Sequence, residues 1–169
     1  MIIIFTGNGK GKTTAALGQA MRAIGRGKRV AMIQFIKNVI SGEHEFLKKI
    51  KIKNSEFKII LAGKGFVKIQ GDKLPFNVHK KAAQKALDLA KKIILNKKYD
   101  LVILDEINVA VSLKLIKEND VLEILKLSPI DIILTGRGAP RSFIKLADIV
   151  TEMKEIKYFS RQIKKGIEY

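Results

Sequence analysis

Four apolar residues, Ile2-Ile3-Ile4-Phe5, run directly into Thr6-Gly7-Asn8-Gly9-Lys10-Gly11-Lys12-Thr13-Thr14. A β-branched strand ending in a glycine-rich turn and then Lys-Thr has the layout of a phosphate-binding loop, and it commits the chain to a strand–loop–helix start. The residue types follow from the chemistry. Glycines let successive backbone N–H groups converge on phosphate oxygens, Lys12 brings a point charge, and the Thr13 hydroxyl can ligate magnesium. The helix that begins at Lys12 directs its positive end at the same anion. The usual pattern, G-x-x-x-x-G-K-[ST], opens on glycine, and here Thr6 holds that position. Residues Thr6, Gly7, Asn8, Gly9, Lys10, Gly11, Lys12, Thr13 and Thr14 are therefore the candidate nucleotide contacts.

Beyond this loop, strand and helix patterns alternate, which implies a mostly parallel sheet with helices on both faces, an α/β three-layer core. Ile2–Phe5 is the first strand. The helix from Lys12 to about Ile24 places Leu17, Ala20, Met21 and Ile24 on one face, and Gly25 and Gly27 end it. Arg29–Gln34 reads as a strand, Glu43–Ile50 as a short helix and Phe57–Leu61 as a third strand. Ala62–Asn77 holds Gly63, Gly65, Gly71 and Pro75 and reads as a long loop of the kind that is often functional. Asn77 can cap a helix over Val78–Ile94. Leu101–Asp105 is a continuous apolar run suited to the interior of a parallel sheet. A helical patch near Val121–Leu127, a strand at Ile130–Thr135, a helix at Arg141–Ala147 and a strand near Ile149–Met153 complete the chain as one domain, 1–169.

Composition narrows the function. Without cysteine there is no disulfide, catalytic thiol or zinc ribbon, and with His44 and His79 the only histidines a dedicated zinc site is disfavoured. No apolar run approaches the roughly 20 residues of a membrane span. The opening apolar run is too short for a signal peptide and lacks a basic region before it, so a cytoplasmic protein is expected. The net charge of +17 admits a nucleic-acid partner. Yet 27 of the 33 basic residues are Lys and only six are Arg, the residue favoured for bidentate phosphate and base contacts. The lysines are scattered, with modest clusters at Lys48–Lys53 and Lys164-Lys165, and such a Lys- and Ile-rich chain also suits heat adaptation. Solvated surface and attraction to an acidic partner both remain open.

Asp105 and Glu106 supply the second half of the candidate site. A carboxylate at the carboxyl end of a buried strand sits where α/β sheets bind ligands. Asp105 is placed to hold magnesium directly or through water; its alternative is capping a helix that begins at Ile107. Glu106 is a second metal contact, a general base or an exposed acid. Thr135-Gly136-Arg137-Gly138-Ala139-Pro140 ends another core strand, where Arg137 can reach a phosphate and offset leaving-group charge or be a plain turn arginine. Arg22 either contacts nucleotide or pairs with a carboxylate.

Several strings, taken in order, resemble the P-loop type of ATP:corrinoid adenosyltransferase. They are Phe5–Ala16, Gln34-Phe35-Ile36-Lys37 with Gly42-Glu43, Val102–Glu106, Thr135–Gly138, Leu146-Ala147-Asp148 with Thr151-Glu152-Met153, and Gly166-Ile167-Glu168-Tyr169. Thr6 at the first loop position is itself a mark of that family. The resemblance implies a RecA-like core, a homodimer, and substitution at carbon: cobalt(I) of the corrinoid attacks C5′ of ATP and triphosphate leaves. It implies catalytic roles for Lys12, Glu106 and Arg137, and magnesium held through Thr13 with Glu106 or Asp105. It also implies an aromatic pair in the loop at Gly65-Phe66-Val67-Lys68 that helps the corrinoid lose its lower ligand. Phe66 matches the first aromatic, whereas the second position is Lys68; the alternative for Phe66 is a buried loop anchor. Longer relatives carry an N-terminal extension over the site, so a cover here is expected from elsewhere, with the basic C-terminal segment the candidate. An acidic flavoprotein is the expected electron donor. The rival readings are a RecA-like nucleic-acid-dependent ATPase, a nucleoside kinase and a non-catalytic nucleotide sensor. Scarce Arg and the lack of interleaved aromatics weigh against the first.

Overall fold

A computed structural model describes residues 1–53, 55–68, 71–157 and 164–167. Among these, strands and helices follow in the order β1 (Ile2–Thr6), α1 (Lys12–Gly25), β2 (Val30–Gln34), α2 (Gly42–Lys49), β3 (Phe57–Leu61), α3 (Phe76–Leu95), β4 (Leu101–Asp105), α4 (Ile107–Ser112), α5 (Glu118–Leu127), β5 (Asp131–Thr135), α6 (Arg141–Leu146) and β6 (Ile149–Glu152). The strands form one sheet in the order β3-β2-β4-β5-β1-β6, and every pairing is parallel. β5 therefore lies between the strand that feeds the glycine-rich loop and the strand that ends in Asp105, the RecA-like arrangement.

Strand alternation divides the core in two. Ile3, Val30, Met32, Leu101, Ile103 and Ile133 pack with Ala16 and Ala20 of α1 on one face. Ile4, Ala31, Ile33, Val102, Leu104, Ile132 and Leu134 pack on the other against residues of α3, α4, α5 and α6 such as Ala83, Ile107, Val121 and Phe143. Each fully buried Ile or Leu adds about 1.5–3 kcal/mol of transfer free energy. The middle strands β2 and β4 are buried along their whole length, as a parallel sheet covered on both faces requires.

Local departures from the sequence reading have simple causes. The buried stripe of α1 is Lys12, Ala16 and Ala20, each four residues from the next, which leaves Met21 64% exposed rather than in the core. α3 starts at Phe76 behind Pro75, so Asn77 lies inside the first turn and caps nothing. Proline serves there because its φ of −59° is preset and the N–H it lacks has no helical partner at that point. Ser41, by contrast, opens α2 with a reciprocal capping box to His44. α4 is a six-residue helix with too few turns to show a period in the sequence.

Candidate active site

Three strand ends build the floor of the site. Gln34 pairs in register with Asp105, and alternation places Gln34, Asp105 and Thr135 on the α1 face, in line with Met32, Ile103 and Ile133 below them. α1 then brings Thr13 over this row. Asp105 Oδ1 accepts the Thr13 hydroxyl at 2.9 Å and the Thr135 hydroxyl at 2.7 Å, and its Oδ2 accepts Gln34 Nε2 at 3.1 Å. Burial pushes the Asp105 carboxyl above its ordinary range, and the three donors, Thr135 first, pull against that rise. The carboxylate thus anchors the loop helix to the sheet, and it does not cap α4.

Glu106 follows with φ 61° and ψ 22°, a left-handed backbone that a non-glycine residue adopts only where its surroundings hold it. Its N–H donates to Thr135 Oγ1 at 2.9 Å. Gly136, with φ 124°, makes the space: a Cβ there would lie 3.2 Å from Glu106 Oε2 and 3.1 Å from the Val109 nitrogen. Burial, then the charge of Asp105, pushes the Glu106 carboxyl up to about 7, against the pull of Lys12 and Arg137. Burial likewise lowers the Lys12 ammonium; Glu106 opposes that fall and Arg137 adds to it. Lys12, Glu106 and Arg137 therefore act on one another electrostatically, with Lys12 buried and Arg137 exposed.

The loop itself is braced by the chain beyond β6. Met153 N–H donates to Thr6 O at 2.8 Å, and Gly9 N–H donates to Met153 O at 2.7 Å. One of the N–H groups that the sequence reading assigns to phosphate, that of Gly9, is thus taken by protein. Gly7 and Gly9 also lie flush on the Met153 and Lys154 backbone. Lys12 Nζ donates to Gly9 O at 2.6 Å, and Gly11, with φ 114°, opens α1. Thr6 uses the side chain that glycine lacks: its Oγ1 accepts Ala139 N–H at 3.3 Å, tying the first loop to the Arg137 turn. Asn8 and Thr14 are exposed, and Thr14 Oγ1 donates to Gly11 O. Lys10 reaches the carbonyl of Ile167 at 2.7 Å, so the C-terminal turn touches the loop. Glu168 and Tyr169 lie outside the described residues.

Two candidates stand apart from this corner. Arg22 is on the last turn of α1, ten residues beyond Lys12 and so about 15 Å along the axis, and the fold does not bring it to the loop of its own chain. Phe66 is 70% exposed, which excludes the buried-anchor alternative; its neighbour Val67 is the anchor, 6% exposed. Lys68, at the second aromatic position, has φ 55° and sets its ammonium 4.2 Å from the centre of the Phe76 ring. Gln34, Thr135 and Glu43 escaped the sequence reading as site residues. The first two carry a signal that was available: a polar residue closing an otherwise apolar strand at its carboxyl end. Glu43 sits 2.8 Å from Lys37 Nζ; although burial works to raise its carboxyl, the hydrogen bonds from Lys37 and Ser41 prevail and hold it down to about 2.

The donor set suits magnesium. A hydroxyl and two carboxylates are all hard oxygen donors, and no group of three or more His, Cys, Asp or Glu side chains able to hold a metal occurs among the described residues. Magnesium characteristically takes one or two carboxylates and completes its shell with substrate phosphates and water.

A glycine-rich loop on β1, a lysine and threonine opening α1, and an acidic corner on β4 define a P-loop nucleotide-binding protein of the α/β class. A family model of ATP:corrinoid adenosyltransferases, BtuR/CobO/CobP, matches residues 1–169. The corrinoid adenosyltransferase of Escherichia coli K12 is 35% identical over 175 residues, covering 100% of this chain and 85% of that protein. Corrinoid adenosyltransferase CobA of Salmonella typhimurium is 34% identical with the same coverage, and the Pseudomonas aeruginosa corrinoid adenosyltransferase is 34% identical with 83% of its length covered. The chain belongs to the ATP:corrinoid adenosyltransferase family.

Proposed function

We propose that this chain transfers the 5′-deoxyadenosyl group of ATP to the cobalt(I) of a corrinoid, with triphosphate as the leaving group. The observation that carries the reading is the family match over all of residues 1–169. Cobalt(I) supplies the electron pair for the new Co–C5′ bond, and the C5′–O bond breaks towards the triphosphate. A nucleophile of that strength needs no general base, so the protein's task is to position C5′ and to stabilise the departing charge.

The residue roles follow from the corner described above. Lys12 sets its ammonium among the triphosphate oxygens once it leaves Gly9 O, and the positive N-terminal end of α1 adds to the same field. Arg137, exposed at the rim and coupled to Lys12 and Glu106, offsets charge on the leaving group. Thr13 and Glu106, with Asp105 behind them, would hold magnesium, which supplies charge neutralisation on the triphosphate. Phe66 offers its ring to the corrinoid face. The same reading carries a homodimer, and an acidic flavoprotein donor drawn by the +17 charge; its association rate would fall as salt is raised.

Anaerobic incubation with ATP, magnesium and chemically reduced cob(I)alamin tests the reaction. Adenosylcobalamin with equimolar triphosphate is the expected outcome. Orthophosphate release without alkylation of the corrinoid would overturn it and revive the nucleic-acid-dependent ATPase.

A further inference from the structure

The connection between β2 and α2 touches two regions that are separate in the sequence. At one end is the acidic corner. Gln34 Nε2 donates to Asp105 Oδ2 at 3.1 Å and to Glu43 Oε1 at 3.3 Å, and Lys37 Nζ meets the same Glu43 oxygen at 2.8 Å and the Ser41 hydroxyl. Gln34 is 1% exposed, and its Oε1 has no hydrogen-bond partner. The amide is therefore held by its nitrogen alone, between two carboxylates, and a flip would lose both bonds and set oxygen against oxygen.

At the other end the same connection seats the Phe66 loop. The N–H groups of Ala62 and Gly63 donate to Gln34 O at 3.1 Å, and Gly65 N–H donates to Ile36 O at 2.8 Å. Asn38 Nδ2 donates to Lys64 O at 3.1 Å, and Gly63 rests so closely on the Ile36 carbonyl that a Cβ would overlap it. Beyond Phe66, Asp72 accepts the N–H groups of Lys68 and Leu74 and faces His79 Nε2 at 3.0 Å. The loop is fastened on both flanks, and one of its fastenings is the residue whose side chain grips Asp105.

We propose that Gln34, Lys37 and Glu43 are positioning residues that couple occupancy of the Thr13–Asp105 corner to the placement of the Phe66 loop. A cation arriving with bound nucleotide would compete with Gln34 Nε2 for the Asp105 carboxylate. The amide is then left to Glu43, and the Glu43–Lys37 pair transmits the change to the backbone at residues 34–38, on which the loop sits. Binding of the first substrate thereby arranges the surface that meets the second. That the second substrate is a corrinoid rests on the function proposed above; the coupling does not. Because coupling is reciprocal, any ligand of the loop must raise ATP affinity by the same factor by which ATP raises its own.

The chain contains no tryptophan, so Phe66→Trp installs a single indole reporter on the loop. Addition of ATP with magnesium is expected to change its emission. Glu43→Gln in the same background, which keeps the shape and removes the charge, is expected to lose most of that change while calorimetry shows ATP still bound within a small factor of the original affinity. Lys37→Met should behave alike and Lys37→Arg should retain the response, which a merely structural role would not require. Should Glu43→Gln fail to fold, Lys37→Met at the more exposed end of the pair carries the same test. An indole silent to bound ATP, or a full response surviving in both Glu43→Gln and Lys37→Met, would overturn the proposal. A normal emission response without corrinoid turnover would instead sink the proposed reaction and leave the coupling standing.

Discussion

The Thr13 hydroxyl, on the first turn of α1, donates to Asp105 Oδ1 at 2.9 Å across a sequence separation of 92 residues. This one bond joins the N-terminal end of the loop helix to the carboxyl end of a strand buried along its whole length. It also explains why both residues are needed before any nucleotide arrives: Asp105 is buried, and a buried carboxylate requires donors. Thr135 and Gln34 complete the set, so the acidic corner is preorganised by three strands and one helix.

Thr135 tests how far that preorganisation depends on a single hydroxyl, because it donates to Asp105 and accepts from Glu106 N–H. Thr135→Val keeps the shape, leaves the Glu106 N–H without its acceptor and leaves Asp105 Oδ1 with the Thr13 hydroxyl alone. The expected cost is about 1–3 kcal/mol of stability, read by denaturant unfolding, together with loss of adenosyl transfer. Thr135→Ser should recover most of both. An unchanged midpoint in the valine variant would mean that water replaces the hydroxyl.

Glu106 makes the protein's stability depend on pH in a stated direction. Its folded pKa of about 7 lies above the reference 4.5, so the folded state binds this proton more tightly than the unfolded chain does. The contribution is fully present below pH 4.5, declines as pH rises and is lost beyond 7. Glu106→Gln should therefore match the parent near pH 4 and exceed it at pH 8 by on the order of 3 kcal/mol, while losing activity. Thermal melts at the two pH values decide it, and a pH-independent difference would contradict the burial argument.

Phe66 separates stability from function. With its ring 70% exposed, Phe66→Ala should change unfolding free energy by no more than about 0.5 kcal/mol and leave ATP affinity intact. Corrinoid turnover is where the loss is expected. Val67→Ala, at the buried anchor, should instead loosen the loop and lower stability measurably. If Phe66→Ala turns over corrinoid normally, the loop has no part in substrate handling.

What could be read from the sequence, and what could not, divides by the range of the interactions. Strands β1, β2, β4 and β5 are short apolar runs with a loop or carboxylate at their ends, and local pattern suffices for them. The loop, Asp105 and Glu106 were legible for the same reason. Gln34 showed only that a polar residue closes an apolar strand; its partner was hidden, because that depends on register and exists only once β2 lies beside β4 and pairs it with Asp105. The brace on Gly9 was hidden likewise, since Met153 arrives through β6, added beside β1 only when the sheet is assembled. Arg22 is the opposite case, near the loop in sequence and remote from it along the helix axis.

Gly9 provides the sharpest test of the loop's packing, because its usual explanation and its observed surroundings differ. A phosphate-cradle reading values Gly9 for an N–H aimed at the ligand, yet that N–H is held by Met153 O at 2.7 Å. A Cβ at position 9 would stand 2.7 Å from the Lys154 carbonyl carbon and 2.9 Å from Met153 O. Gly9→Ala must therefore push the chain after β6 away, and overpacking of this kind costs about 1–3 kcal/mol. Gly18→Ala is the control: it lies mid-helix with nothing within 4 Å, and should stabilise α1 by about 0.5–1 kcal/mol. Hydrogen exchange gives the decisive readout. In Gly9→Ala the amides of residues 9 and 153 should both lose protection, because the first donates to Met153 O and the second to Thr6 O across the same contact. Lys12 should lose its partner too, since its ammonium rests on Gly9 O, and ATP affinity should fall with it. Retained protection at both amides would show that the segment after β6 yields without leaving the loop, and that glycine at position 9 serves the ligand after all.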